Sequence, residues 1–290
     1  MSAYTELARP GNALMASFSA LLGMLVVLGT DIWDADLLVP VFLGMVVPFL
    51  VTAGGNTLND YMDQEVDRQA HPGRPLPSGR VTPEQVLRLA IACFIAGIVL
   101  AALIVTLSDI ELLPVLIAAL AITCLVGYEV ALKYRGLAGN VMVAFLSALT
   151  FVFGASVVAD PGHEAWPTVI VLFGLAHFAS LGREVTKDIE DVEADRGSRS
   201  TLPMTEGVRA AFVYVTICII AAVILSPFPY YPLATMGWPY LAVVMGADVV
   251  FIYSLPFVRS SPGEAQRIQK VGMMIALLAF LAGSLTGGIS

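Results

Sequence analysis

The chain is 290 residues long, 58% hydrophobic and only 13% charged, with a mean hydropathy of +0.83. Charged residues approach about 25% in soluble domains, so this composition excludes an ordinary soluble globular protein and points to an all-α, polytopic membrane protein. The formal net charge of −8 arises mostly from acids in two motifs and in the loops opposite them, and it implies neither a nucleic-acid nor a protein partner.

Apolar runs of about 20 residues, long enough to cross about 30 Å of hydrocarbon as a helix, are predicted in chain order near 11–30, 38–59, 85–107, 112–132, 138–158, 166–183, 208–226, 233–257 and 270–288. That makes nine spans. The first follows only Arg9 and is long enough to span, so no cleavable signal peptide is expected. All 15 basic residues fall in the loops of one side. Cytoplasmic loops concentrate Lys and Arg, which predicts an N-terminus in the cytoplasm and a C-terminus outside. Cys93, Cys124 and Cys218 sit singly inside spans and read as small buried residues, not as a disulfide or zinc framework.

The second span ends in Asp60, Asp63, Asp67 and Arg68, and the sixth in Asp188, Asp191, Asp195 and Arg196, the same DxxDxxxDR pattern twice. On one helix, offsets of three and seven place all three carboxylates on one face. Like charges so arranged repel by a few tenths of a kcal/mol per pair, and the helix C-terminus disfavours acids, so each set predicts a cationic ligand. The match extends to Leu76, Pro77 and Gly79 against Leu202, Pro203 and Gly207. It predicts one transmembrane domain over 1–290, built as two related four-helix units (1–132 and 138–257) plus a final helix at 270–288, with the two sites meeting at the cytoplasmic side between the units.

Asn56 and Asn59 extend the first acidic face, and amide oxygens beside carboxylates suit Mg²⁺, an ion that also recruits substrate phosphate. Arg68, Arg74, Arg80, Arg183, Lys187, Arg196 and Arg199 bracket the acids, and guanidinium forks match phosphate oxygens. Acids with adjacent Arg therefore suggest phosphate held through metal. Arg74, Lys133 and Arg183 are candidates for phosphate contacts, and Tyr128 and Tyr134 for stabilising a carbocation. Asp248, an acid within a span, is a functional candidate by default, whereas His177 reads as an interhelical hydrogen bonder.

Asn59, Asp60, Asp63 and Asp67, then Lys187, Asp188, Asp191 and Asp195, with the loop segments from Arg74 to Gly79 and from Lys133 to Leu137, resemble the UbiA superfamily of intramembrane prenyltransferases over nearly the whole chain. The resemblance implies a nine-helix bundle around a lipid-accessible central cavity. It implies catalytic roles for Asp60, Asp63, Asp67, Asp188, Asp191 and Asp195, and Mg²⁺, as two ions, on Asn59, Asp63, Asp67, Asp191 and Asp195. Substrate contacts would come from Arg9, Asn12, Asn56, Arg68, Arg74, Tyr128, Lys133, Arg183 and Lys187. Within the family, Arg9, Pro10, Asn12 and the stretch from Arg183 to Asp191 look most like members that move a geranylgeranyl group from its diphosphate to the hydroxyl of geranylgeranylglyceryl phosphate in ether-lipid synthesis. The implied partners are then a polyprenyl diphosphate donor, a lipid-phosphate acceptor and membrane lipid. Gly73 departs from the Asn expected before Arg74. Two other readings of the same residues are prenylation of an aromatic acceptor (a quinone, haem or chlorin precursor) and a divalent cation transporter, although transporter sites lie nearer the midplane.

Overall fold

The structure, a computed structural model, describes residues 2–193 and 200–286; Asp195, Arg196 and Arg199 lie outside the described residues. Thirteen α-helices follow one another: α1 (Ala3–Ala8), α2 (Pro10–Leu28), α3 (Leu38–Met62), α4 (Gln64–Ala70), α5 (Pro83–Ser108), α6 (Leu113–Gly127), α7 (Leu137–Ser156), α8 (Trp166–Glu190), α9 (Leu202–Thr205), α10 (Val208–Leu225), α11 (Trp238–Ser254), α12 (Phe257–Ser260) and α13 (Pro262–Thr286). A π-helical turn, Tyr128–Leu132, prolongs α6. Start signals in the sequence are used directly. Pro occupies the first turn of α2, α5, α6, α8 and α11, where its missing N–H costs nothing. Thr82 and Gln85 close a reciprocal capping box on α5.

Eight of the elements are long and apolar enough to cross a membrane. The stretch predicted as the eighth of nine spans, 233–257, holds a shorter helix: α11 has 17 residues, about 26 Å at 1.5 Å each, against about 30 Å of hydrocarbon. Pro256 lacks the N–H that would bond the Ile252 carbonyl, so α11 stops there and a separate α12 begins.

Helix α3 packs mainly along α5, α8 along α10, and α11 along α13, while α2 and α7 cross between them. That crossing is set by two glycines. A Cβ on Gly23 would stand 2.1 Å from the Phe151 carbonyl oxygen, and one on Gly154 would stand 1.9 Å from that of Ala20. Backbone meets backbone, the small-residue contact by which membrane helices gain packing without a hydrophobic driving force. The largest core cluster gathers around it, with Leu22, Met24, Leu149, Phe151, Val169, Tyr240 and Phe280 buried.

At the motif end α1 is held twice. Leu7 packs with Leu76, Val81 and Val86, and Glu6 accepts from Arg80 at 2.8 Å. That hydrogen bond holds the Glu6 carboxyl below its ordinary pKa, so the clamp is intact above the unfolded value and is released as pH falls through the lowered one.

Gly154→Ala is expected to destabilise the protein by about 1–3 kcal/mol, because no flexible side chain can yield to the new methyl. Gly246→Ala, whose Cβ meets nothing within 4 Å, should leave the melting temperature in detergent unchanged. Equal melting temperatures for both variants would contradict the backbone contact.

Candidate active site

The motif acids lie where α3 ends. Met62 is the last helical residue, and Asp63 takes φ −88, ψ 7 as C-cap before α4 carries Asp67 onward. The three carboxylates therefore do not stack along one straight helix as the spacing predicted: the axis breaks at Asp63. The physical reason is lateral anchoring on either side of the break. Lys133 Nζ donates to Asp63 Oδ2 at 2.6 Å, and Arg74 Nη1 donates to Asp67 Oδ2 at 2.5 Å. Asp60, 4% exposed, is paired with Arg9 and lies 3.8 Å from Arg74 Nη1.

These contacts form one continuous network. Arg9 Nη2 donates to Asn59 Oδ1 at 3.2 Å, Asn59 Nδ2 donates to Glu129 Oε1 at 3.0 Å, and Lys133 Nζ donates to Glu129 Oε2 at 2.9 Å. Arg9 sits between α1 and α2 in the left-handed region, φ 46, immediately before Pro10. An Arg held there stores on the order of 1–3 kcal/mol of strain, which its guanidinium contacts offset. Tyr134 donates to Asp63 Oδ1 at 3.4 Å; burial first, and then the Asp63 charge, push its hydroxyl pKa up, so it stays a neutral donor.

The second set closes α8. Asp188 accepts from Asn140 Nδ2 of α7 at 2.6 Å. Asp191 is the C-cap at φ −89, ψ 4, within a few degrees of the conformation of Asp63. Asp195 lies outside the described residues.

A cavity of about 680 Å³ opens between the helices. One end is charged and polar, lined by Arg9, Asn12, Asn56, Asn59, Tyr128, Glu129, Arg183, Glu184 and Lys187; the rest is mostly apolar, with Val47, Ile117, Phe153, Leu172 and Phe280 among its walls, broken by a few hydroxyls and by Asp248. The substrate residues read from the sequence thus divide. Arg9, Asn12, Asn56, Tyr128, Arg183 and Lys187 share the lining, together with Asn59 of the metal set. Arg74 and Lys133 stand outside it, bonded to motif acids. Arg68 pairs instead with the exposed Glu65 at 2.9 Å. The carboxylates of Asp60, Asp63, Asp67, Asp188 and Asp191 also lie outside the lining.

Three residues escaped the sequence reading: Glu129, Glu184 and Asn140. Glu129 carries a signal, since an acid four residues before Lys133 inside an apolar span is an ion pair in waiting. Asn140 carries another. Gly139 and Asn140 repeat Gly11 and Asn12 at an offset of 128, the offset that separates Asp188 from Asp60. Glu184, next to Arg183, gives no comparable cue.

The donor set offers carboxylate and amide oxygens without thiolate or imidazole, the chemistry that suits Mg²⁺. Among the described residues no three His, Cys, Asp or Glu side chains converge as a preformed metal cluster. In the first set the positive charge beside each acid comes from Arg9, Arg74 and Lys133. The residues fit a hard cation in kind.

The UbiA prenyltransferase family model matches residues 16–282. A digeranylgeranylglyceryl phosphate synthase of Methanopyrus kandleri is 42% identical over 289 residues, covering 98% of this chain and 100% of that protein. The protein of the same name from Halobacterium salinarum is 37% identical over 283 residues, covering 97% and 96%. Among solved structures, one of digeranylgeranylglyceryl phosphate synthase superposes with a TM-score of 0.83 at 30% identity, covering 98% of each chain. A UbiA homologue from Archaeoglobus fulgidus bound to DMAPP and Mg²⁺ superposes with a TM-score of 0.65 at 18% identity, covering 98% of this chain and 99% of that one, a likeness of fold.

Lys133 is 7% exposed and is paired with two carboxylates. Lys133→Met strands both and is expected to cost about 3–5 kcal/mol, read as a lowered melting temperature in detergent. Adding Glu129→Leu removes one stranded charge and should restore part of the loss. A double variant no more stable than Lys133→Met would argue against the pairing.

Proposed function

The chain belongs to the UbiA prenyltransferase family, and we propose that it transfers a geranylgeranyl group from geranylgeranyl diphosphate to the free hydroxyl of geranylgeranylglyceryl phosphate, releasing diphosphate. The observation that carries this reading is the cavity itself, apolar along most of its length and cationic at one end, adjoining the two acidic motifs. Its support in kind is the name shared by relatives that are 42% and 37% identical over almost their full lengths.

The apolar walls take the donor chain, at roughly 0.8 kcal/mol for each buried methylene. Arg183 and Lys187 bring positive charge to the lining from α8; Lys187 has no ion-pair partner among the described residues, so it is available to a substrate phosphate. Arg9 and Asn59 reach the same end from the α1–α2 junction and from α3. Bound there, the allylic C1–O bond breaks with its electrons leaving on diphosphate, and the acceptor hydroxyl oxygen forms the new bond to C1 as its proton passes to the departing diphosphate. Tyr128, on the lining, presents an aromatic face to the positive charge that develops on the allyl group.

Mg²⁺ would be held by Asn59, Asp63, Asp67 and Asp191 with Asp195, as two ions, one for each acidic set. When bound it neutralises diphosphate and makes it a better leaving group. Arg74 and Lys133, now tied to Asp67 and Asp63, would be freed by that charge to serve phosphate.

We read nine spans, counting the short α11, with the motif end in the cytoplasm, the N-terminus inside and the C-terminus outside, on the segregation of basic residues. The cavity is read as central and open to lipid. The like conformations of Asp63 and Asp191 support two related units, 1–132 and 138–257, followed by a final helix. Family membership does not favour a cation transporter, and the relatives' names do not favour an aromatic acceptor.

The test of the reaction is purified protein with labelled geranylgeranyl diphosphate and Mg²⁺ against geranylgeranylglyceryl phosphate, 4-hydroxybenzoate and a naphthoate. Product is expected with the first alone; product with only an aromatic acceptor would overturn the assignment. Asp63→Asn and Asp191→Asn, assayed separately, should each lower kcat/KM by about 10²-fold. Full activity in both would contradict diphosphate held through metal.

A further inference from the structure

The cavity's apolar wall is interrupted at one place by an acid. Asp248 lies ten residues into α11, lines the cavity, and accepts a hydrogen bond from Ser226 Oγ at 2.6 Å; Ser226 lines the cavity as well. Ser226 is fixed in turn, because its carbonyl accepts from the hydroxyl of Tyr240, which is fully buried against Phe280.

The position of the pair along the cavity follows from helix packing. Ser226 caps the C-terminus of α10, next to Leu225, and Leu225 is the side chain that a Cβ on Gly174 of α8 would meet at 3.1 Å. Lys187 lies thirteen residues further along α8, about 20 Å at 1.5 Å per residue. Ser226, and through it the pair, therefore stands toward the end of the cavity away from Lys187; Ala222, Val244, Leu277 and Phe280 also line the cavity.

We propose that the Asp248–Ser226 pair is the polar floor that limits the length of the prenyl chain the cavity accepts. This rests on the prenyl-diphosphate reading given above. A chain that fills the apolar stretch gains contact along its whole length, whereas one isoprene more must press hydrocarbon against a carboxyl and strip it of remaining polar contacts, which is unfavourable. A chain one isoprene shorter leaves apolar wall unfilled. Discrimination by a few methylenes in an apolar pocket amounts to factors of about ten to a few hundred, which is the range a length preference requires.

The experiment uses the full chain in detergent and measures Kd for unreactive thiolodiphosphate analogues with chains of 15, 20 and 25 carbons, so that neither acceptor nor turnover enters. The wild type should bind the 20-carbon analogue best. Asp248→Leu and Asp248→Ala should raise affinity for the 25-carbon analogue relative to the 20-carbon one by about tenfold, whereas Asp248→Asn, which keeps a polar floor, should leave that ratio within about twofold. Ala222→Leu narrows the same end from α10 and should shift preference toward 15 carbons; it decides the matter should the apolar Asp248 variants not fold. A purely structural tether between α10 and α11 would lower melting temperature or weaken all three analogues alike. Ratios unmoved in the folded variants overturn the proposal. Failure of the wild type to bind any analogue would instead refute the prenyl-diphosphate reading.

Discussion

Charge compensation at the motif end is the constraint on which the remaining architecture rests. Asp60, Asp67 and Glu129 are buried carboxylates, and two unit charges 4 Å apart interact by about 4 kcal/mol at an effective dielectric of 20, against about 1 kcal/mol in water. Left unpaired, such a cluster would not stay folded beside a membrane. The cations that pair with it come from three places remote in sequence: Arg9 between the first two helices, Arg74 in the loop after α4, and Lys133 just past the π-turn. Closing this network is what brings those segments to the end of α3. It also explains the break at Asp63, since a straight helix would carry Asp67 along the axis rather than to Arg74.

The same arrangement links fold to chemistry. A site that has to receive a multiply charged anion is best held beforehand by charged groups that can change partners, and Arg and Lys side chains tethered to carboxylates have that property. The π-turn Tyr128–Leu132 contributes by turning Tyr128 and Glu129 toward the cavity while Lys133 faces Asp63. Irregular turns of this kind inside helices recur at functional sites.

Much of this was legible in the chain because the signals were local. Span lengths and the doubled acidic motif are short-range patterns, and the helices appear where those patterns lie. What escaped was decided by tertiary geometry. Spacing alone made three carboxylates one helical face; the bend at Asp63 depends on Lys133 and Arg74, distant in sequence or beyond the next helix. Arg68 follows the motif directly and looked like a phosphate ligand, yet α4 turns it to Glu65 on the surface. Asn140 was overlooked because its cue is a two-residue repeat of Gly11 and Asn12 at a distance of 128, a long-range match whose meaning shows only with Asp188 opposite it.

The contact of Gly23 with the Phe151 carbonyl, and of Gly154 with that of Ala20, removes a degree of freedom from the molecule. With main chain against main chain at two points, α2 and α7 behave as a fixed spindle that resists sliding in depth. A Cβ at either glycine would force the two helices apart, so this contact tolerates little change in their relative depth.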